Sequence, residues 1–196
     1  ILDKLSKKDK SNLPFEKSVE WFKYRESGLH LYHNDIIGVG LDRTENGINL
    51  VSLFDLQRGI ELLNSTNTSI FKLIVYSEKD SIKLNNESSW KATKIQWDKN
   101  DKLSLLTLNF KDPKDPKLKG LSVFCEIEFN NNLTHWTLET RLPEKGISLL
   151  ETEFPSINAG PIGEIPDDNV LHYPKASGIA YQSPYTKDIN YSEVYP

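Results

Sequence analysis

The 196 residues suffice for one domain of ordinary size, with a buried core. A hydrophobic share of 37% and an aromatic share of 10% exclude a disordered chain. A net charge of −4 excludes a strongly basic nucleic-acid surface.

The lysine-rich stretches Lys4–Lys10 and Lys111–Lys119 carry no interleaved aromatics and read as solvated surface. Cys125 is the only cysteine, so an internal disulfide and a Cys-based zinc site are both excluded. It sits in the alternating run Val123-Phe-Cys-Glu-Ile127 and is expected to be a buried structural thiol. No window is long and apolar enough to span a bilayer as a helix. The chain contains no methionine and opens at Ile1, which reads as a processed or trimmed chain with its leader removed, or as one from which modified residues are omitted. Asn64, Asn67, Asn86, Asn132 and Asn190 each begin a glycosylation sequon. In so Asn-rich a chain, composition is the first explanation and glycosylation the second.

Residues 1–27 are polar and predict a lead-in arm, with a short helix over Pro14–Arg25 lying against the domain. Short strands follow. Leu29–Tyr32 and Ile36–Leu41 come first. Asn46-Gly47 predicts a type I′ hairpin, both of whose central positions need positive φ. Ile48–Phe54 returns from that turn, and Asp55–Gly59 predicts a tight connection. Phe71–Tyr76 is β-branched and aromatic. Lys91–Trp97, Leu103–Phe110, Leu121–Phe129 and Thr134–Leu142 alternate most clearly, with Val123, Cys125, Ile127 and Phe129 on one face. The stretch Trp136–Ile157 predicts two consecutive strands joined by a short turn and ending on Phe154-Pro155. Turn signals recur every 8–12 residues or so, without long helical patterns between them, which predicts an all-β antiparallel sandwich with a short N-terminal helix or arm. From Asn158 the chain is rich in Pro and Gly and reads as an extended, ordered loop region.

Glycoside hydrolysis needs two carboxylates about 5–10 Å apart. Glu151 and Glu153 share a strand face at about 7 Å by period 2, a spacing that a solvated polar face also produces. Asp167 and Asp168 follow Pro166; turn chemistry explains them, with sugar or cation contact as the alternative. The histidines His30, His33, His135 and His172 form no metal-binding spacing. His172, between Leu171 and Tyr173 beside the acidic loop, is the best polar candidate among them. Trp90 and Tyr173 are candidates for stacking on a sugar, Trp90 because it follows Ser88-Ser89 at the start of a strand. Trp97 and Trp136 alternate with Ile95 and Leu138 and are expected in the core. Gly38-Val-Gly40 lacks the third glycine and the helix of a phosphate loop.

Several segments in order carry a resemblance: Ile48–Asp55, Gly59–Leu63, Phe71–Leu73, Trp90, Leu133–Trp136, Glu153–Pro155, Asp167–Leu171, Pro174 and Gly178. Over roughly residues 29–185 the chain resembles the N-terminal galactose-mutarotase-like β-supersandwich of a bacterial glycoside hydrolase-like family, in which a (β/α) barrel follows. The resemblance implies an arm over 1–27, a supersandwich over 28–185, and a linker over 186–196 leading to a C-terminal catalytic domain. It implies an exported bacterial protein, periplasmic or extracellular, whose partners are that barrel and carbohydrate, with no nucleic acid or membrane. No catalytic residue, metal or cofactor is assigned to the chain itself. The expected substrate contacts are Asp167, Asp168, His172, Tyr173 and Trp90. The rival reading is a free-standing carbohydrate-binding module. An independent mutarotase is disfavoured because the His pair and catalytic Glu of true mutarotases have no match.

Overall fold

The computed structural model describes residues 20–64, 68–77, 79–99, 104–130, 133–143, 146–160, 170–173 and 179–184. The chain divides into two compact units, Ile1–Asn158 and Ala159–Pro196. The fold is an all-β antiparallel sandwich with a short helix near the N-terminus. In the first unit the strands are β1 (His30–His33), β2 (Ile37–Arg43), β3 (Ile48–Asp55), β4 (Ile60–Glu61), β5 (Lys72–Ser77), β6 (Asp80–Asn85), β7 (Trp90–Lys99), β8 (Ser104–Pro113), β9 (Ser122–Phe129), β10 (Thr134–Arg141) and β11 (Ile147–Glu153). They form three sheets, in the orders β1-β2-β3-β4, β10-β9-β8-β7 and β11-β5-β6. The second unit contributes a ribbon of its own, β12 (Val170–Tyr173) paired with β13 (Ile179–Gln182).

Alternating residues of all three sheets share one core. Val39, Leu41, Ile48 and Leu50 meet Leu73, Val75 and Leu84, together with Leu106, Leu108, Phe110, Val123, Cys125 and Ile127. Burying each such side chain contributes about 1.5–3 kcal/mol. Burial also pushes the Cys125 thiol up to about 12, Glu126 adding to the effect, which fits the inert thiol expected from the alternation.

A bulge lets the first sheet bury both faces. Gly40 pairs with Ser52 and Leu41 with Leu50, leaving Val51 as the extra residue. Leu50 and Leu53 therefore face the main core, while Ser52 and Phe54 turn to the other side. There Trp21, Phe22, Leu31, Phe54 and Leu56 form a second cluster beneath the helical stretch that ends in the 3₁₀ turn Lys23–Ser27. The glycines of Gly38-Val-Gly40 make room for it. A Cβ on Gly38 would lie 2.6 Å from the Trp21 ring, and one on Gly40 would lie 2.9 Å from Ser52 Cβ. Trp21 Nε1 donates to Ser52 Oγ at 2.8 Å.

The expected type I′ turn at Asn46-Gly47 is not formed. Neither residue has positive φ, and Thr44–Gly47 closes a longer loop in which Thr44 N donates to Gly47 O at 3.0 Å. Gly47 is required for a different reason: a Cβ there would lie 2.2 Å from Glu87 O and 2.3 Å from Asn86 O. The loop is pressed against the Asn86–Ser89 turn between β6 and β7. Asn86 N–H aside, every polar group of that residue binds across the junction. Its O accepts from Ile48 N at 2.8 Å, its Nδ2 donates to Ile48 O at 2.7 Å, and its Oδ1 accepts from Phe71 N at 3.2 Å and from Ser69 Oγ. Asn86 is fully buried, so its sequon is closed to glycosylation in the folded chain.

Asn86→Ala strands the Ile48 carbonyl and the Phe71 N–H in the core. It is expected to destabilise the chain by about 3 kcal/mol or more, read as a drop in the urea midpoint at unchanged slope. A loss within about 0.5 kcal/mol, as for an ordinary surface change, would contradict the assignment.

Candidate functional site

The two strands expected within Trp136–Ile157 are present, but they do not pair with each other. β10 lies at the edge of the sheet β10-β9-β8-β7 and β11 at the edge of the three-stranded sheet. Between Arg141 and Ile147 the chain crosses from one sheet to the other, and the two edges border an open seam. The resulting cleft, about 530 Å³, is lined by Trp136, Leu138, Thr140, Leu149, Thr152 and Phe154 among others.

The pairing registers explain this lining. On β10, Trp136, Leu138 and Thr140 pair with the core residues Ile127, Cys125 and Val123 and face the same way. On β11, Leu149 pairs with Val75, and the register then skips Leu150, so that Thr152 pairs with Leu73. Without that bulge the inward positions would continue to Glu151 and Glu153. With it, a threonine faces the cleft, and Glu151 and Glu153 share the opposite face opposite Ile74 and Lys72. Trp136 is half-buried rather than enclosed; its Nε1 donates to Thr134 Oγ1 at 2.9 Å. Among the described residues the seam thus offers an aromatic ring, aliphatic side chains and hydroxyls, without a carboxylate. Leu149 and Leu150 are 38% and 58% exposed.

Glu153 is occupied elsewhere. It binds Lys72 Nζ at 3.2 Å and accepts from Ser156 Oγ at 3.1 Å, and these donors hold its carboxyl below the ordinary value of 4.5. This is the chemistry of an exposed ion pair, not of a proton donor in hydrolysis.

Trp90 does not offer a stacking surface. It is fully buried, its ring packs against Phe71 and Phe110, and its Nε1 donates to Asn85 O at 2.7 Å. Position after two serines suggested exposure, but its pairing with Pro113 at the closed end of the sandwich turns it inward. His172 and Tyr173 lie on β12, in the second unit, and their side chains are outside what the structure describes. Asp167 and Asp168 also lie outside the described residues. His135 is exposed on the face of β10 opposite Trp136, whereas His33 packs edge-on against Trp21 and Phe22. Among the described residues no group of three or more His, Cys, Asp or Glu is placed to hold a metal ion. No described helix is long and apolar enough to cross a membrane.

A second concavity lies beside β3. It measures about 520 Å³ and is lined by Asn49, Val51, Glu61, Asn64, Thr68 and Glu87 among others. Glu61 is fixed there: its carboxylate accepts from Ser52 Oγ at 2.5 Å, from Leu53 N at 2.8 Å and from Leu63 N at 3.1 Å.

No protein-family model, curated protein or solved structure matches the chain.

The Glu153 assignment makes a pH prediction. Because its folded pKa is lowered, the ion pair persists below the usual carboxylate range and is lost as pH falls through the lowered value. Lys72→Met is expected to move the Glu153 titration, followed by carboxyl NMR, up towards 4.5. An unmoved midpoint would show that Lys72 is not the cause.

Proposed function

We propose that the chain is a non-catalytic accessory sandwich of a carbohydrate-active protein, packing through its open seam against a catalytic domain and shaping that domain's cleft. The supporting observation is the seam itself. Leu149 is exposed there, and Trp136, Leu138 and Phe154, which also pack against the core, are only half-covered. Strand edges and apolar patches left open are covered in stable proteins, because they otherwise template aggregation. The turning of Glu151 and Glu153 away from the cleft supports a packing role over a hydrolytic one. The order of segments resembling a glycosidase-associated supersandwich supports the carbohydrate setting.

Thr152→Arg tests this reading. Thr152 is exposed, so in the 196-residue chain the change is expected to stay within about 0.5 kcal/mol. In the native gene product the same change places an unpaired guanidinium in a covered seam. The melting temperature is then expected to fall by several degrees, at about 2–4 °C per kcal/mol for a large domain. An equal, negligible shift in both proteins would remove the packing role.

A further inference from the structure

The outer face of the sheet β10-β9-β8-β7 carries a hollow bounded by cations. On β7, Thr93 and Ile95 pair with the core residues Phe110 and Leu108, so Ala92, Lys94 and Gln96 face outward. On β8 the matching outward residues are Asn109 and Lys111. Lys94 pairs with Asn109 and Ala92 with Lys111, which makes the two lysines diagonal neighbours on one face. Ala92 is too short to fill the space between them. The hollow measures about 300 Å³ and is lined by these five residues and Thr93. A third cation comes to its edge. Arg43, at the end of β2, donates from Nη2 to Thr93 O at 2.8 Å.

The charges around the hollow are of one sign. Among the described residues no carboxylate lines it. Asp98, on the same face, accepts from Gln96 Nε2 at 2.9 Å, and Glu139 is held by Arg141 Nε at 2.7 Å. Glu126, on β9, pairs with Thr107 and does not line the hollow. Lys94 Nζ meets the neutral Gln96 Oε1 at 3.3 Å, and Lys111 Nζ lies 5.9 Å from the Phe124 ring centroid. Neither ammonium, nor the Arg43 guanidinium, has a carboxylate partner among the described residues, although the chain carries a net charge of −4. Like charges set this close repel, and an anion placed between them removes the repulsion. The Asn109 amide makes no hydrogen bond among the described residues and adds a neutral donor.

Three cations and an amide N–H suit a compact oxyanion with several acceptor oxygens and close to two negative charges. We propose that this hollow binds a phosphate group, free or carried as the ester of a small molecule. Its oxygens accept from Lys94 Nζ, Lys111 Nζ, Asn109 Nδ2 and the guanidinium N–H groups of Arg43 not used on Thr93. The volume lies at the small end of ligand sites, about 300–1,000 Å³, and suits a phosphate with the group that bears it rather than a polymer. None of these residues lines the seam between β10 and β11, and the argument for an anion uses nothing from the carbohydrate reading.

The experiment is an NMR titration of the isotopically labelled chain with inorganic phosphate and, separately, glycerol 3-phosphate. Ionic strength is held constant with sodium chloride, because surface charges are screened by salt. The expected result is a saturating shift of the Asn109 side-chain amide and of the Lys94 and Lys111 backbone amides. Tighter binding of the ester assigns the hollow to a phosphorylated small molecule; tighter binding of inorganic phosphate assigns it to the free anion. Lys94→Gln and Lys111→Gln should each weaken binding about fivefold or more. Both side chains are exposed, so neither change disturbs the core. Shifts that fail to saturate with both phosphates, or that an equal charge of chloride reproduces, would overturn the proposal. So would affinities unchanged in both variants.

Discussion

The arrangement depends on one buried amide. Asn86 sits where β6 leaves the sheet β11-β5-β6 and the chain turns into β7 of the sheet β10-β9-β8-β7, and it binds Ile48 on β3 of the first sheet. A single side chain with an acceptor and a two-proton donor satisfies backbone groups from the first sheet and from the Phe71 segment that leads into β5. Buried backbone groups must be paired, and no apolar residue could do this. The requirement extends to Gly47, whose missing Cβ admits the Asn86–Glu87 carbonyls. It extends also to Trp90, which closes the core beside this junction with its indole N–H on Asn85 O.

With that end of the sandwich locked, the opposite edges remain apart. β10 continues the large sheet and β11 joins the small one, so the chain between them makes a crossing rather than a hairpin. The skipped residue Leu150 then decides the chemistry of the opening. One extra residue reverses the alternation, moves Glu151 and Glu153 outward and leaves Thr152 and Phe154 on the cleft side. The same device at Val51 lets the first sheet face two cores. Both bulges convert a regular strand pattern into a boundary between two environments.

Period-2 alternation made the sandwich class legible, together with most of its strands, including the buried face of Val123, Cys125, Ile127 and Phe129. β6 was missed because Asp80-Ser-Ile-Lys-Leu-Asn85 offers only two apolar positions, Ile82 and Leu84, an alternation too short to stand out. Asn46-Gly47 carried a genuine glycine requirement, but the cause was a close approach from forty residues away, which no local turn rule contains. The same is true of Trp90, whose neighbours along the chain are polar while its neighbours in space are aromatic. The site was the least legible part. Trp136 looked like ordinary core, and only sheet membership shows that it also borders an opening. The cationic hollow gives no signal along the chain, since Lys94 and Lys111 meet only through the register of β7 on β8.

The proposed packing role rests on the open seam between β10 and β11, and hydrogen exchange reads it directly. Amide exchange along β10 and β11 should be compared between this chain alone and the native gene product. The account predicts that edge amides of both strands exchange readily in the chain and become protected in the gene product, while β8 and β9 at the sheet centre are protected in both. Equal exchange along β10 and β11 in the two proteins would contradict it.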